Sequence, residues 1–146
     1  MSRSRVGSSR RGQALVEFSL AVIVFLALVM GIVDFGRGIY VYNGVAQAAR
    51  EIARATSVQP PSATLGGSAQ TVAVINTQKG LVPGMGNPTF TCLNPSTEPP
   101  TTKASGTCVP GDLVRVHVAA PFSLLTPLLG QVGPFTLQAT TTIEMQ

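Results

Sequence analysis

The sequence predicts an α+β chain: a long N-terminal helix whose first half suits a bilayer, then a small module with a short helix and an antiparallel sheet of about three strands. Three observations carry that prediction. Ala14 to Val33 is a run of twenty residues holding one charge, Glu17. Val41, Val45, Ala48, Ile52 and Ala55 then recur at intervals of three and four, which puts them on one helical face. The C-terminal half switches to alternation, clearest where Phe135, Leu137, Ala139, Thr141, Ile143 and Met145 face one way and Thr136, Gln138, Thr140, Thr142 and Glu144 the other.

Met1 to Arg11 has no apolar periodicity and is expected to be disordered. The twenty residues from Ala14 would make a helix of roughly 30 Å, the thickness of a bilayer core. One transmembrane helix follows. A buried helix is disfavoured because the remainder is too small and polar to wrap a helix that is apolar all round. A signal peptide fits less well: the run is longer than an h-region, and no small-x-small site precedes Asp34 and Arg37. Ser9-Arg10-Arg11 hints at a twin-arginine export signal, but Glu17 inside the apolar run suits neither rival.

Past Val33 the helix turns amphipathic, with Glu51 able to pair with Arg54 one turn on. Gly36 and Gly38 mark the expected bend or melted turn where the helix leaves the bilayer, and Pro60-Pro61 its stop. Ser62 to Ser68 reads as a linker. Ala69 to Lys79 reads as a short helix offering Val72, Val74, Ile75 and Leu81 for burial, with Gly80 as its stop. Thr89 to Leu93 and Leu113 to Ala119 alternate as half-buried strands, the latter with Val114, Val116 and Val118 on one face and Arg115 and His117 on the other. Three short strands cannot bury their apolar face alone and should pack on one of the helices. Pro121 to Gly130 is too short and proline-interrupted to span a membrane. It is expected to fold onto the module's own core or, alternatively, to form a subunit contact.

The formal charge of +4 sits almost wholly in the leader: Arg3, Arg5, Arg10 and Arg11 precede Gly12, and the other six basic residues are balanced by six acids. A basic leader ahead of an apolar span holds the N-terminus in the cytoplasm. With no Trp and two Tyr, stacking platforms for single-stranded nucleic acid are missing, and nucleic acid is not an expected partner. His117 is the sole histidine, and no serine or cysteine arrangement points to a triad. Glu98, Asp112 and Glu144 come from unrelated segments, so neither an enzyme nor a cofactor is predicted. Cys92 and Cys108, sixteen positions apart, suit a disulfide on the extracytoplasmic side. Metal binding is the alternative, but a structural zinc site needs about four ligands.

Gly12-Gln13-Ala14-Leu15-Val16-Glu17-Phe18 looks like the processing site of a type IV prepilin. Together with Gly31-Ile32-Val33-Asp34-Phe35-Gly36 and Ala48-Ala49-Arg50-Glu51-Ile52-Ala53-Arg54 it resembles the TadE-like pseudopilins of tight-adherence pilus systems. The resemblance covers most of residues 11 to 57, and residues 110 to 146 loosely. It implies a basic leader, residues 1–12 with Arg10 and Arg11, cut off after Gly12 on the cytoplasmic side by a prepilin peptidase. Gln13 becomes the first residue and Glu17 the fifth, a glutamate needed for assembly. The implied division is a transmembrane helix over 13–33, an amphipathic stem over 34–58 and an extracytoplasmic module over 59–146.

The physics of Glu17 points the same way. A lone carboxylate near the start of an apolar helix must protonate, snorkel to the headgroups or find a cation, and cleavage creates one at Gln13. Within one rigid helix that pairing is awkward, whereas a neighbouring subunit offset along the axis can supply its amine and so fix the register of packed stems. The implied partners are the peptidase, other pilin subunits or copies of itself in a filament, the inner-membrane assembly platform and the membrane. The implied location is the cytoplasmic membrane and, after processing, a pilus or the extracytoplasmic face. The alternative is an adhesin or binding module that stays anchored in the bilayer.

Overall fold

The computed structural model describes residues 9–60, 64–103, 108–126 and 133–146, with side chains from residue 12 onward. Its first element, α1, is one helix over Ser9–Ser57. The α+β expectation holds: α1 is followed by a short helix, α2 (Ala69–Leu81), and by strands β1 (Thr89–Asn94), β2 (Thr101–Thr102), β3 (Leu113–Phe122) and β4 (Phe135–Glu144). The sheet is antiparallel in the order β2-β1-β3-β4. It has four strands where about three were expected, the extra one being the two-residue β2 held through Leu93↔Thr102.

The predicted stem face is the core. Val45, Ala48 and Ile52 are fully buried and Ala55 nearly so, with Val41 packed at the edge. Val45, Ala48 and Ile52 form one cluster with Val114, Val116 and Val118 of β3. Each such valine or isoleucine contributes about 1.5–3 kcal/mol by leaving water. Small side chains at Ala48, Ala49 and Ala53, all fully buried, let the helix lie close to the strands. β4 keeps its predicted alternation: Phe135 at its start is exposed, Leu137, Ala139, Thr141 and Ile143 are half-buried, and Met145 just beyond it is buried.

The β3–β4 hairpin is long, registered from Leu113↔Glu144 to Phe122↔Phe135. Ten residues of β3 extend about 33 Å, close to the roughly 35 Å that α1 climbs from Asp34 to Ser57. The hairpin therefore runs the length of the amphipathic half of the stem. Its open end is tied to the top of the helix, where the Gln146 N–H donates to the Ser57 carbonyl at 3.0 Å. Its other end reaches α1 at Asp34.

Several local expectations need correction. α1 is unbroken through Gly36 and Gly38, because the backbone ladder outweighs about 1 kcal/mol per glycine. Gly38 instead lies under the Phe122 ring, where an added Cβ would sit 3.6 Å from Cζ. The helix also starts earlier than expected, so Ser9 to Arg11 is helical; Met1 to Ser8 of the leader lies outside the described residues. It ends at Ser57, short of Pro60, where Thr56 and Ser57 hydroxyls bond back to the Ile52 and Arg54 carbonyls; Pro61 is not among the described residues.

In α2, Ser68 accepts from the Thr71 N–H as N-cap, and the helix runs through Gly80 to Leu81. Its buried residues are Thr71 and Gln78, whereas Val74 and Ile75 are only half-buried and Val72 and Leu81 are exposed. β3 extends through Pro121 and Phe122, which the sequence assigned to the following loop.

Candidate functional site

The candidate site is the lower half of α1, which the module leaves bare. From Gly12 to Val33 every residue is exposed except half-buried Val22. Leu15, Phe18 and Phe25 each keep about two-thirds of their surface open. A water-facing helix with this sequence would expose an apolar surface far beyond what soluble monomers tolerate, and its length and composition suit a membrane crossing. One N-terminal apolar helix fits a single-pass membrane protein.

Gly12, Gln13 and Glu17 all lie on this bare stretch. A Cβ on Gly12 would meet nothing within 4 Å, so the junction is open to an approaching protein. Glu17 comes one turn after Gln13, and among the described residues no side chain forms an ion pair or hydrogen bond with it. Arg10 and Arg11 are in the first turns of α1, and their side chains lie outside the described residues. Ser9 to Arg11, Gly12, Gln13 and Glu17 thus share one continuous helix.

Where α1 enters the module, Asp34 is buried. Its carboxylate accepts from the Leu125 N–H at 3.0 Å, the Thr126 N–H at 2.9 Å and the Thr126 hydroxyl at 2.6 Å. Arg37, one turn on, lies 3.3 Å from the same carboxylate and 5.5 Å from the centre of the Phe122 ring. These contacts clamp the chain after β3 to the point where the bare helix ends. The sequence marks Asp34 only as a charge closing an apolar run; nothing local signals a partner 91 residues away.

At the far end of the sheet Cys92 and Cys108 form a disulfide, with Cα atoms 5.6 Å apart. Both sulfurs are thereby occupied. Asp112 beside them accepts from Lys103 Nζ at 2.6 Å and from the Val109 N–H at 3.0 Å. Hydrogen bonds from Lys103 and then Val109 hold this carboxyl below its usual range, against the opposing effect of burial. His117 is half-buried, its Nδ1 3.1 Å from Thr140 Oγ1 on the neighbouring strand. Of the Pro121 to Gly130 segment, Phe122 and Thr126 fold inward while Leu125 is 57% exposed; residues 127 to 130 are not among those described.

The chain is thus a long helix, bare and apolar below and packed on an antiparallel sheet above. Residues 12–54 match the family model described as TadE-like protein. Over those residues, less than a third of the chain, the stem is similar to that family. No curated protein and no solved structure matches the chain. The match spans the bare half of α1 and most of its packed half, and stops before α2 and the sheet.

Proposed function

We propose that the chain is made as a single-pass membrane precursor with its N-terminus in the cytoplasm, is cut after Gly12 by a prepilin peptidase, and assembles into or at a tight-adherence pilus. The observation that carries this reading is the TadE-like match over residues 12–54, which begins at the junction itself. The bare face of α1 from Gln13 to Val33 supports it, since that surface requires lipid before assembly and other stems after it. The inner-membrane assembly platform would pass the subunit from one environment to the other.

The chemistry is that of packing, not turnover. Cleavage removes Arg10 and Arg11 and leaves a cationic amine on Gln13. A neighbouring stem, offset along the axis, brings its amine to the Glu17 carboxylate, so each pair compensates two charges in an apolar surrounding and fixes the stagger. The disulfide-closed end of the module remains outside the membrane.

The test is incorporation of the Glu17→Ala variant. The precursor should stay in the membrane fraction, while its share in sheared pili falls at least about tenfold, the effect of losing about 1.4 kcal/mol or more of pairing. Unchanged incorporation would remove the charge-pairing mechanism.

A further inference from the structure

The groove between the stem and the start of the β3–β4 loop lies level with the end of the apolar half of α1. It has a volume of about 580 Å³, and its walls are Phe35 and Ile39 from α1, Phe122 from the end of β3, Leu124 just after it, and Phe135 and Leu137 from β4. Gly31, still within the bare helix, forms its lower edge. Phe35 and Leu125 are exposed by 71% and 57%. We infer that this groove and the exposed Leu125 beside it are a membrane foot: a surface that seats the module on the bilayer and takes lipid acyl chains.

Four observations favour lipid as the occupant. First, the groove is continuous with the surface of the span, for Gly31 and Phe35 belong to both. Second, its height is fixed. With the apolar run ending at Val33, residues 34 to 37 climb about 6 Å, which is one interfacial layer of a bilayer. The Asp34 carboxylate holds Leu125 and Thr126 at that level through hydrogen bonds of 2.6–3.1 Å.

Third, two N–H groups of the irregular backbone there find their acceptor within the protein. The Leu125 and Thr126 N–H groups both donate to Asp34, which is what non-helical backbone needs where water is scarce. Fourth, the chain's two tyrosines, Tyr40 and Tyr42, lie on α1 just above the foot and are exposed. Tyr42 also lines the groove, and exposed aromatic side chains at this height suit the headgroup layer. Arg37, its side chain 42% exposed beside Asp34, offers a guanidinium to lipid phosphate at the same level.

This inference rests on the reading of α1 as a membrane span and is independent of processing at Gly12. The chain has no tryptophan, so single tryptophans report depth without background. Full-length Phe25→Trp, Leu125→Trp, Phe135→Trp and Ser96→Trp would each be reconstituted in phosphatidylethanolamine–phosphatidylglycerol vesicles with or without lipids brominated near the headgroup end or deep in the acyl chain. Ser96 follows β1 at the end of the sheet away from the foot.

Leu125→Trp and Phe135→Trp should be blue-shifted relative to Ser96→Trp and lose about half their emission or more to the shallow bromines, as expected for side chains about 5–10 Å below the headgroup boundary. Phe25→Trp should be quenched by the deep bromines. If Phe25→Trp is quenched but Leu125→Trp and Phe135→Trp match Ser96→Trp, the foot is refuted and the span stands. A blue shift at both that is unquenched and grows with the protein-to-lipid ratio would assign the groove to a second copy, also refuting it. An unquenched Phe25→Trp would overturn the span, and the foot with it.

Discussion

Removing the disulfide should destabilise the module without releasing the chain from the membrane. The perturbation is the double variant Cys92→Ala/Cys108→Ala. The bridge closes a loop of sequence separation 16, for which loss of loop-closure entropy in the unfolded chain corresponds to about 3 kcal/mol. The bridge joins β1 to the segment leading into β3, and Lys103–Asp112 crosses the same closure at 2.6 Å. That ion pair survives in the variant, so the fold should persist, weakened. The assay is urea unfolding of the full chain in non-ionic micelles, followed by circular dichroism of the sheet. With a slope of about 1–3 kcal/mol/M, the midpoint should fall by about 1–3 M, and the slope should rise because an uncrosslinked denatured chain exposes more surface. A midpoint and slope both indistinguishable from wild type would refute the reasoning, as would two reactive thiols in the denatured, unreduced wild-type protein.

Two further outcomes follow from the packing and the charges. Ile52→Ala opens the interface where α1 meets the sheet, at a side chain with no exposed surface, and should lower the unfolding free energy by about 2–5 kcal/mol in the same titration; Arg50→Ala, on the exposed face, should leave it nearly unchanged. Asp112 has a folded pKa below the unfolded value of about 3.9. Its contribution is therefore fully present above the unfolded pKa and is lost as pH falls through the folded one. Urea midpoints measured from neutral pH downward should hold to about pH 5 and drop below about pH 4, and Asp112→Asn should remove part of that drop.

The stem and the strands were legible because each has a local period. Val45, Ala48 and Ile52 follow the helical repeat and are buried where that repeat puts them, and β4 alternates as its sequence does. The features that escaped are those set by distant contacts. Asp34 acquires its role only when the hairpin folds back to place Thr126 against it. Gly38 reads as a helix breaker in isolation, but in the folded chain it lies within an unbroken helix beside the Phe122 ring. In α2 the buried side is set by how the Ser68 cap and α1 orient the helix, which places Thr71 and Gln78 inward in spite of the more apolar Val72 and Leu81.

Of the candidate site, Gly12, Gln13 and Glu17 were legible as a pattern. Their exposure on one bare helix is a structural fact, whereas the processing and pairing proposed for them would involve other molecules.

The most direct measurement of the central claim is the intact mass and N-terminal sequence of the chain recovered from cells with an active prepilin peptidase. The expected result is a polypeptide beginning at Gln13, with accumulation of the full precursor when Gly12 is replaced by a bulky residue. A wild-type chain that retains Met1 to Arg11 beside that active peptidase would contradict it.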